Sequence, residues 1–182
     1  LPAGVVIHGP SGCGKTHLAL ALCGECTFPV ISLSGTQVLS AIVGESEKTI
    51  ARVFSRARAV APCIVLIDQL EDAESGHANE DNEHGSGAAR TQSRLVAALV
   101  AELDRCTLQR DQGCVLVVGT TSDIELCHSR VVQRMEVHCA IPFADLRQRE
   151  SVIRFAMSRL QVSASDSEVT SLASMIEGRT SA

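Results

Sequence analysis

The sequence predicts an α/β domain in which a parallel sheet of five strands lies between two layers of helices. Short runs rich in valine and isoleucine alternate with longer segments of helical periodicity, a pattern typical of open parallel sheets. The chain has 182 residues, of which 45% are hydrophobic, and this is enough for one domain with a buried core. A glycine-rich turn joins the first strand to the first helix and completes a strand–turn–helix unit.

Local patterns predict each element in order. Runs of valine and isoleucine predict strands over residues 5–8, 29–33, 63–68, 114–120 and 136–140. Helical spacing predicts helices over residues 15–24, 45–60, 89–105 and 145–160. In the second of these, Ile50, Val53, Phe54 and Ala57 recur at i, i+3, i+4 and i+7, so the helix has one apolar stripe that packs on the sheet.

Two other segments are set apart by composition or by capping residues. Residues 71–87 are acidic, contain glycine and carry almost no apolar side chains, so burial cannot offset their ordering entropy and we expect a mobile loop. A last helix is predicted to begin near Ser165 and Asp166, which are both good N-caps. Because the chain starts without methionine and ends in a helix–turn signal, we expect a piece of a longer protein.

Charge and hydropathy exclude two classes of function. The net charge is −5 and the pI is about 5.7, so the chain lacks the basic excess of a general nucleic-acid binder. The longest apolar runs, residues 18–23 and 114–118, are far shorter than the roughly 20 residues that span a bilayer. We therefore expect neither nucleic-acid binding nor a membrane segment.

The cysteines indicate a reducing environment. There are eight, scattered along a chain without a signal-like segment, so we expect reduced and mostly buried thiols. Cys23 and Cys26 have the spacing of half a zinc site, but no second Cys or His pair lies at a matching distance. The predicted location is intracellular, with the cytoplasm preferred.

The glycine-rich turn carries a phosphate-binding motif. Residues 9–16 read GPSGCGKT, which fits GxxxxGKT between a strand and a helix and predicts a three-layer P-loop NTPase fold. We expect Lys15 to reach the outer phosphates of ATP and Thr16 to ligate Mg²⁺. A chance match is expected about once in a hundred chains of this length. The predicted cofactor-binding residues are Gly9, Pro10, Ser11, Gly12, Cys13, Gly14, Lys15, Thr16, His17 and Asp68.

The third predicted strand ends in a carboxylate that would lie beside the metal. In P-loop folds such an aspartate holds the magnesium, so Asp68 is predicted to be the partner of Thr16 in the metal site. Gln69 follows, where ATPases of this kind usually carry the glutamate that polarises the attacking water. An amide can orient water but cannot take its proton, and loss of a general base removes about 10² to 10⁴ in rate. Glu71 lies beyond the strand end, so we expect it to have little chance of substituting.

Three further stretches carry a resemblance to a known family. VGESEK at residues 43–48, FSRAR at 54–58 and the Ala-Pro pair at 61–62 resemble the segment between the pore loop and the Walker B motif of AAA ATPases, particularly the two-ring unfoldase and remodelling branch. The resemblance covers nearly the whole chain. It implies a large P-loop NTPase subdomain over residues 1–160 and the beginning of a truncated helical lid over residues 161–182, with a second sensor turn at residues 178–182.

The resemblance also implies roles for single positions. Ile42 matches the aromatic that grips a threaded polypeptide, or is a plain buried aliphatic. Ser122 matches the sensor asparagine, or is a turn-capping serine. Arg130 matches the first arginine finger and Gln133 the second, with Arg134 directly after it, although both arginines could simply be solvated surface residues. The catalytic residues implied are Gln69, Ser122, Arg130 and Arg134.

These features together predict an ATP-binding AAA-type module. The resemblance implies that it binds ATP and ADP with Mg²⁺, assembles into a homo- or hetero-oligomeric ring of six subunits, and remodels a protein substrate. Hydrolysis is expected to be weakened by Gln69. The alternative is a degenerate domain in which bound ATP is structural and another domain or subunit hydrolyses. A small-molecule kinase is a weaker interpretation, because the VGESEK stretch would have no role in one.

Overall fold

The computed structural model describes residues 3–35, 45–74, 86–109 and 113–176. The strands are β1 (Gly4–His8), β2 (Val30–Ser34), β3 (Cys63–Asp68), β4 (Val115–Thr121) and β5 (Val137–Ala140). The helices are α1 (Lys15–Glu25), α2 (Glu45–Ala59), α3 (Leu70–Glu74), α4 (Ser86–Leu108), α5 (Ser129–Val132), α6 (Leu146–Leu160) and α7 (Asp166–Met175), with a 3₁₀ turn at Ile124–Leu126.

The predicted fold class is confirmed. The five strands form one sheet in the order β2-β3-β4-β1-β5, and each neighbouring pair is parallel. Most predicted boundaries are within one residue of the observed ones, whereas α4 begins three residues earlier and ends three residues later than predicted. The short helices α3 and α5 were not predicted, because neither is long enough to show a periodic apolar stripe.

The mobile loop predicted over residues 71–87 is wrong at both ends. Residues 71–74 belong to α3, and α4 begins at Ser86. Residues 75–85 lie outside the described ranges. The helix α3 forms despite its acidic composition because Leu70, which is 1% exposed, packs over the backbone of Gly119 in β4. A Cβ atom at Gly119 would lie only 2.3 Å from Leu70 Cδ1.

Two apolar clusters lie on opposite faces of the sheet and make the fold three-layered. Because strand side chains alternate between faces, Ile64 and Leu66 of β3 point to α1, whereas Val65 and Ile67 point to α2 and α4. The larger cluster lies on the second face and includes the fully buried Phe54. The sheet is therefore packed on both faces, and its carboxyl-terminal edge is a fixed support for the side chains at the strand ends.

Helices α6 and α7 pack against each other. Arg149 Nε on α6 donates to the Ala173 carbonyl oxygen on α7 at 2.8 Å, and Thr170 Oγ1 donates to Glu150 Oε1 at 2.6 Å. The N-cap predicted at Ser165 is present as a capping box with Glu168. The two helices lie on either side of the subdomain boundary predicted after residue 160, which stays a prediction.

The state of the cysteines and the length and apolar character of the helices bear on what the composition predicted. None of the eight cysteines, which all lie in the described ranges, forms a disulfide, as predicted. Mostly buried thiols were expected, but only four cysteines are buried, three are half-buried and Cys139 is exposed. None of the described helices combines the length and the apolar character needed to cross a membrane.

Candidate nucleotide site

The phosphate-binding loop joins β1 to α1 and uses backbone conformations that favour glycine. Gly12 and Gly14 have φ values of 73° and 99°, and Gly14 is the N-cap of α1. Gly9 has a φ of 152°, and a Cβ atom there would lie 2.0 Å from the Ile141 carbonyl oxygen. The loop is thus fixed both by its own conformation and by close contact with the segment after β5.

Lys15 holds this loop from inside. The residue is 9% exposed, and its Nζ donates to the carbonyl oxygens of Gly9 at 2.8 Å and Pro10 at 2.9 Å. The Cys13 amide closes the turn by donating to the same Pro10 oxygen. An ammonium group has three N–H donors, so it can hold two loop carbonyls and still donate to an anion in the loop.

A chain of hydrogen bonds ties the loop to the two central strands. Thr16 Oγ1 donates to Asp68 Oδ1 at 2.9 Å, and Thr120 Oγ1 donates to the same oxygen. The backbone N–H of Gln69 in turn donates to Thr120 Oγ1 at 3.1 Å. This follows from strand register, because Ile67 of β3 pairs with Gly119 of β4, so the next residues along the two strands are neighbours.

The residues predicted to ligate magnesium therefore lie together, and their chemistry fits that ion. Mg²⁺ prefers oxygen ligands and usually binds one or two protein side chains together with water and substrate phosphates. Thr16 and Asp68 supply one hydroxyl and one carboxylate. Among the described residues there is no group of three or more His, Cys, Asp or Glu side chains that could hold a metal. The ion would depend on the phosphates of a bound nucleotide.

A cavity of about 330 Å³ lies in front of the loop. Its wall combines predicted phosphate-binding and catalytic positions with three residues that were not predicted. The lining residues are Ser11, Gly12, Gly14, Lys15, Thr16, His17, Gln69, Glu71, Thr120, Thr121 and Ser122. The structure thus brings six of the ten predicted binding residues together with Gln69 and Ser122 in one cavity, whereas Gly9, Pro10, Cys13 and Asp68 are not among its lining residues.

Glu71, which was expected to have little chance of substituting for the usual glutamate, lies at the cavity wall. Gln69 adopts a left-handed conformation with a φ of 60°, and α3 begins at the next residue, so the chain turns sharply after β3. Glu71 Oε1 then accepts the Ser122 amide at 2.8 Å and the Ser122 hydroxyl. Glu71 lies three positions after Asp68, but that spacing alone does not predict the contact with Ser122, which depends on how α3 packs against β4.

The surroundings of Glu71 keep it ionised. Burial raises the pKa of the Glu71 carboxyl group, but hydrogen bonds, among them those from the Ser122 side chain and backbone, together lower it by more than burial raises it. The net pKa of Glu71 therefore lies below its usual range. Hydrogen bonds to the charged form of a carboxyl group have this effect. The cavity wall therefore carries a negative charge at Glu71 at neutral pH.

The predicted arginine fingers are not among the residues that line this cavity. Arg134 forms a bidentate ion pair with Asp104, with Nε–Oδ1 at 2.7 Å and a second bond at 3.0 Å, and it also donates to the Arg130 carbonyl oxygen at 2.8 Å. The Arg134 hydrogen bond holds the pKa of Asp104 below its usual range. Arg130 is exposed. A role for either arginine at a neighbouring subunit stays a prediction.

Two predictions fall outside the described residues. They are the pore-loop position Ile42 and the second sensor turn at residues 178–182.

The chain is similar in sequence to known proteins. The family model of the ATPase family associated with various cellular activities (AAA) matches residues 5–143. The chain is 39% identical over 122 residues to the ribosome biogenesis ATPase RIX7 of Saccharomyces cerevisiae, covering 66% of this chain and 14% of that protein. It is 32% identical over 167 residues to the AAA domain-containing protein C16E9.10c of Schizosaccharomyces pombe, covering 89% of this chain and 20% of that protein. The chain thus spans a fifth or less of the length of these relatives.

Proposed function

The chain belongs to the AAA family of ATPases, and from this premise we propose that it binds Mg-ATP and couples ATP binding and hydrolysis to the remodelling of a protein partner. It would act within a ring, with six subunits and the two-ring branch as the specific proposal. Lys15 would contact the outer phosphates, and Thr16 and Asp68 would hold the magnesium. The ion, when bound, neutralises the charge that develops on the phosphates.

The observation that carries the proposal is the hydrogen-bonded chain from Thr16 through Asp68 to Thr120. It joins the phosphate loop to the ends of β3 and β4, the edge of a parallel sheet at which ligands bind in open α/β folds. Lys15 is held across the loop at the same place. A cation, a hydroxyl and a carboxylate in this arrangement fit a nucleotide phosphate with its magnesium.

Hydrolysis is proposed to be slower than in a site with a glutamate after Asp68. Gln69 lines the cavity, but its amide cannot accept a proton from water at neutral pH. Loss of a general base costs about 10² to 10⁴ in rate. The second candidate function follows from the same residue: bound ATP stabilises the assembly, and another domain or subunit hydrolyses. Ligand binding to the folded state supplies such stabilisation.

The test measures ATP affinity and ATP turnover in the natural full-length protein, with any other nucleotide site inactivated. The wild type is compared with Lys15→Ala and Gln69→Glu. Lys15→Ala should weaken ATP binding about 30-fold or more, because truncating one partner of a buried charge pair costs about 2 to 5 kcal/mol and about 1.4 kcal/mol is tenfold.

Gln69→Glu separates the two candidate functions. If the wild type binds ATP without turnover and Gln69→Glu hydrolyses it, the bound nucleotide is structural. If the wild type turns over and Gln69→Glu changes the rate by less than about tenfold, hydrolysis is its own activity and another group activates the water. An unchanged ATP affinity in Lys15→Ala would contradict the proposed site.

A further inference from the structure

The position of Glu71 is fixed by packing on both sides. Leu70, the residue before it, is 1% exposed and lies over Gly119, where any side chain larger than hydrogen would collide with it. Gln69, the residue before Leu70, is held to β4 by a hydrogen bond from its backbone N–H to Thr120 Oγ1. The first turn of α3 therefore has little freedom, and Glu71 is directed toward the end of β4.

Ser122 holds the Glu71 carboxylate at the cavity wall. Its amide donates to Glu71 Oε1 at 2.8 Å and its hydroxyl donates to the same oxygen. Both residues line the cavity that also exposes Lys15 and Thr16. Glu71 Oε2 is buried, so Oε1 is the oxygen at which the carboxylate would meet a water molecule in the cavity.

The side chains of Gln69 and Glu71 thus line the same cavity, but one ends in an amide and the other in a carboxylate. Gln69 is exposed, and its hydrogen bonds are made by its backbone, whose N–H donates to Thr120 Oγ1 and whose carbonyl oxygen accepts from the Asp72 N–H. Glu71 is half-buried and oriented by two donors from one neighbour. Preorganised groups contribute most to catalysis because they need not rearrange during the reaction.

Resting on the proposed function, we propose that Glu71 is the carboxylate that activates the attacking water in ATP hydrolysis and that Ser122 is its positioning residue. The water oxygen forms a bond to the γ-phosphorus while the bond from that phosphorus to the bridging oxygen breaks. ADP leaves with the electron pair of the broken bond, and the water proton passes to Glu71 and then to solvent. The products are ADP, inorganic phosphate and one proton.

The decisive variants exchange the carboxylate between two positions. In the natural full-length protein, with any other nucleotide site inactivated, Glu71→Gln should lower kcat by about 10² or more and leave the dissociation constant for ATP within about twofold. The amide oxygen at position 71 can still accept from Ser122, so the fold is kept. The double variant Gln69→Glu with Glu71→Gln should restore kcat to within about tenfold of the wild type, because it returns a carboxylate to the cavity. A purely structural role for Glu71 would not be rescued from position 69.

Asp72 provides a matched control. It is the next acidic residue on α3 and is not among the residues that line the cavity, so Asp72→Asn should leave kcat and ATP affinity unchanged. Ser122→Ala should lower kcat about tenfold through loss of one charge-assisted hydrogen bond, and Ser122→Thr, which keeps the hydroxyl, should recover most of it. The serine variants keep the test decisive if Glu71→Gln lowers the melting temperature.

The outcomes separate this proposal from the one on which it rests. Wild-type turnover in Glu71→Gln overturns the role of Glu71. ATP binding without any wild-type turnover also overturns it, while ATP binding itself stands. Failure of the wild type to bind ATP at all overturns the proposed function.

Discussion

The two sides of the nucleotide cavity differ in how they are built. The phosphate side, residues 9–16 with Asp68, is fixed by strand register, by glycine conformations and by a nearly buried lysine. The turnover side, Gln69 with Glu71 and Ser122, lies on a sharp turn and at the end of β4. Every position predicted to bind phosphate has its expected residue, whereas Gln69 and Ser122 are predicted to replace the residues that are usual at the catalytic positions of the family.

The difference indicates that binding and chemistry are constrained separately in this fold. Phosphate binding depends on backbone groups and on contacts that join β1, β3 and β4, so a change there disturbs the sheet itself. Under the proposal for Glu71, water activation needs one carboxylate at the cavity wall, and a second position on the turn after β3 supplies it. The two positions, 69 and 71, are two residues apart and both line the cavity.

The largest effect should come from disturbing the phosphate side at Gly9. Gly9→Ala should destabilise the fold by about 3 kcal/mol or more, because its Cβ would lie 2.0 Å from the backbone oxygen of Ile141 in a conformation that disfavours side chains. The measurement is denaturant unfolding together with ATP affinity.

Gly24→Ala is the matched control for that substitution. Gly24 lies within α1, and a Cβ atom added there would meet open space, so alanine should add about 0.5 kcal/mol of stability. Equal effects at the two glycines would show that the loop tolerates a side chain, and the contrast between the two sides of the cavity would then fail.

A second, smaller effect is expected where the two sides meet. Thr120 is 1% exposed, donates to Asp68 and accepts from the Gln69 amide. Thr120→Val preserves the shape but removes both bonds, so it should cost about 1 to 3 kcal/mol of unfolding free energy and weaken both ATP binding and turnover.

Thr107→Val tests whether the hydroxyl or its position matters. Thr107 is an exposed threonine on α4 whose hydroxyl donates to the Leu103 carbonyl oxygen at 3.2 Å, and its replacement should change stability by no more than about 0.5 kcal/mol. If Thr120→Val altered turnover while leaving ATP affinity intact, the two sides would be independent rather than joined at Thr120.

The sequence was sufficient for the phosphate side because its signals are local. Runs of β-branched residues predicted the strands, and the spacing of Gly9, Gly14, Lys15 and Thr16 predicted the loop. The usual place of the strand-end aspartate in P-loop folds then placed Asp68 beside Thr16. Each step used residues close in sequence or the known arrangement of P-loop folds.

The turnover side could not be predicted because its contacts join distant segments. Glu71 meets Ser122 across 51 positions, and that contact requires Leu70 to pack on Gly119, which no periodicity reveals. Arg134 and Asp104 lie 30 positions apart, so the sequence did not show that the predicted finger Arg134 pairs with Asp104. Such contacts arise from packing, not from local pattern.

The smallest effect should distinguish the two arginines beyond the cavity. Arg134→Ala should lower the melting temperature by no more than about 4 °C, because partly exposed ion pairs contribute little, and Arg130→Ala should leave it unchanged. Since the pKa of Asp104 is lowered in the folded state, the contribution of the pair is present above the unfolded value of about 3.9. It is lost as the pH falls through the folded pKa. The difference in melting temperature between wild type and Arg134→Ala should therefore vanish in acid.

If Arg134→Ala instead keeps the wild-type melting temperature at pH 7 and abolishes ATP turnover only in the assembled protein, Arg134 acts on a neighbouring subunit. Its pairing with Asp104 would then have to break on assembly, and the turnover side would extend across the subunit boundary.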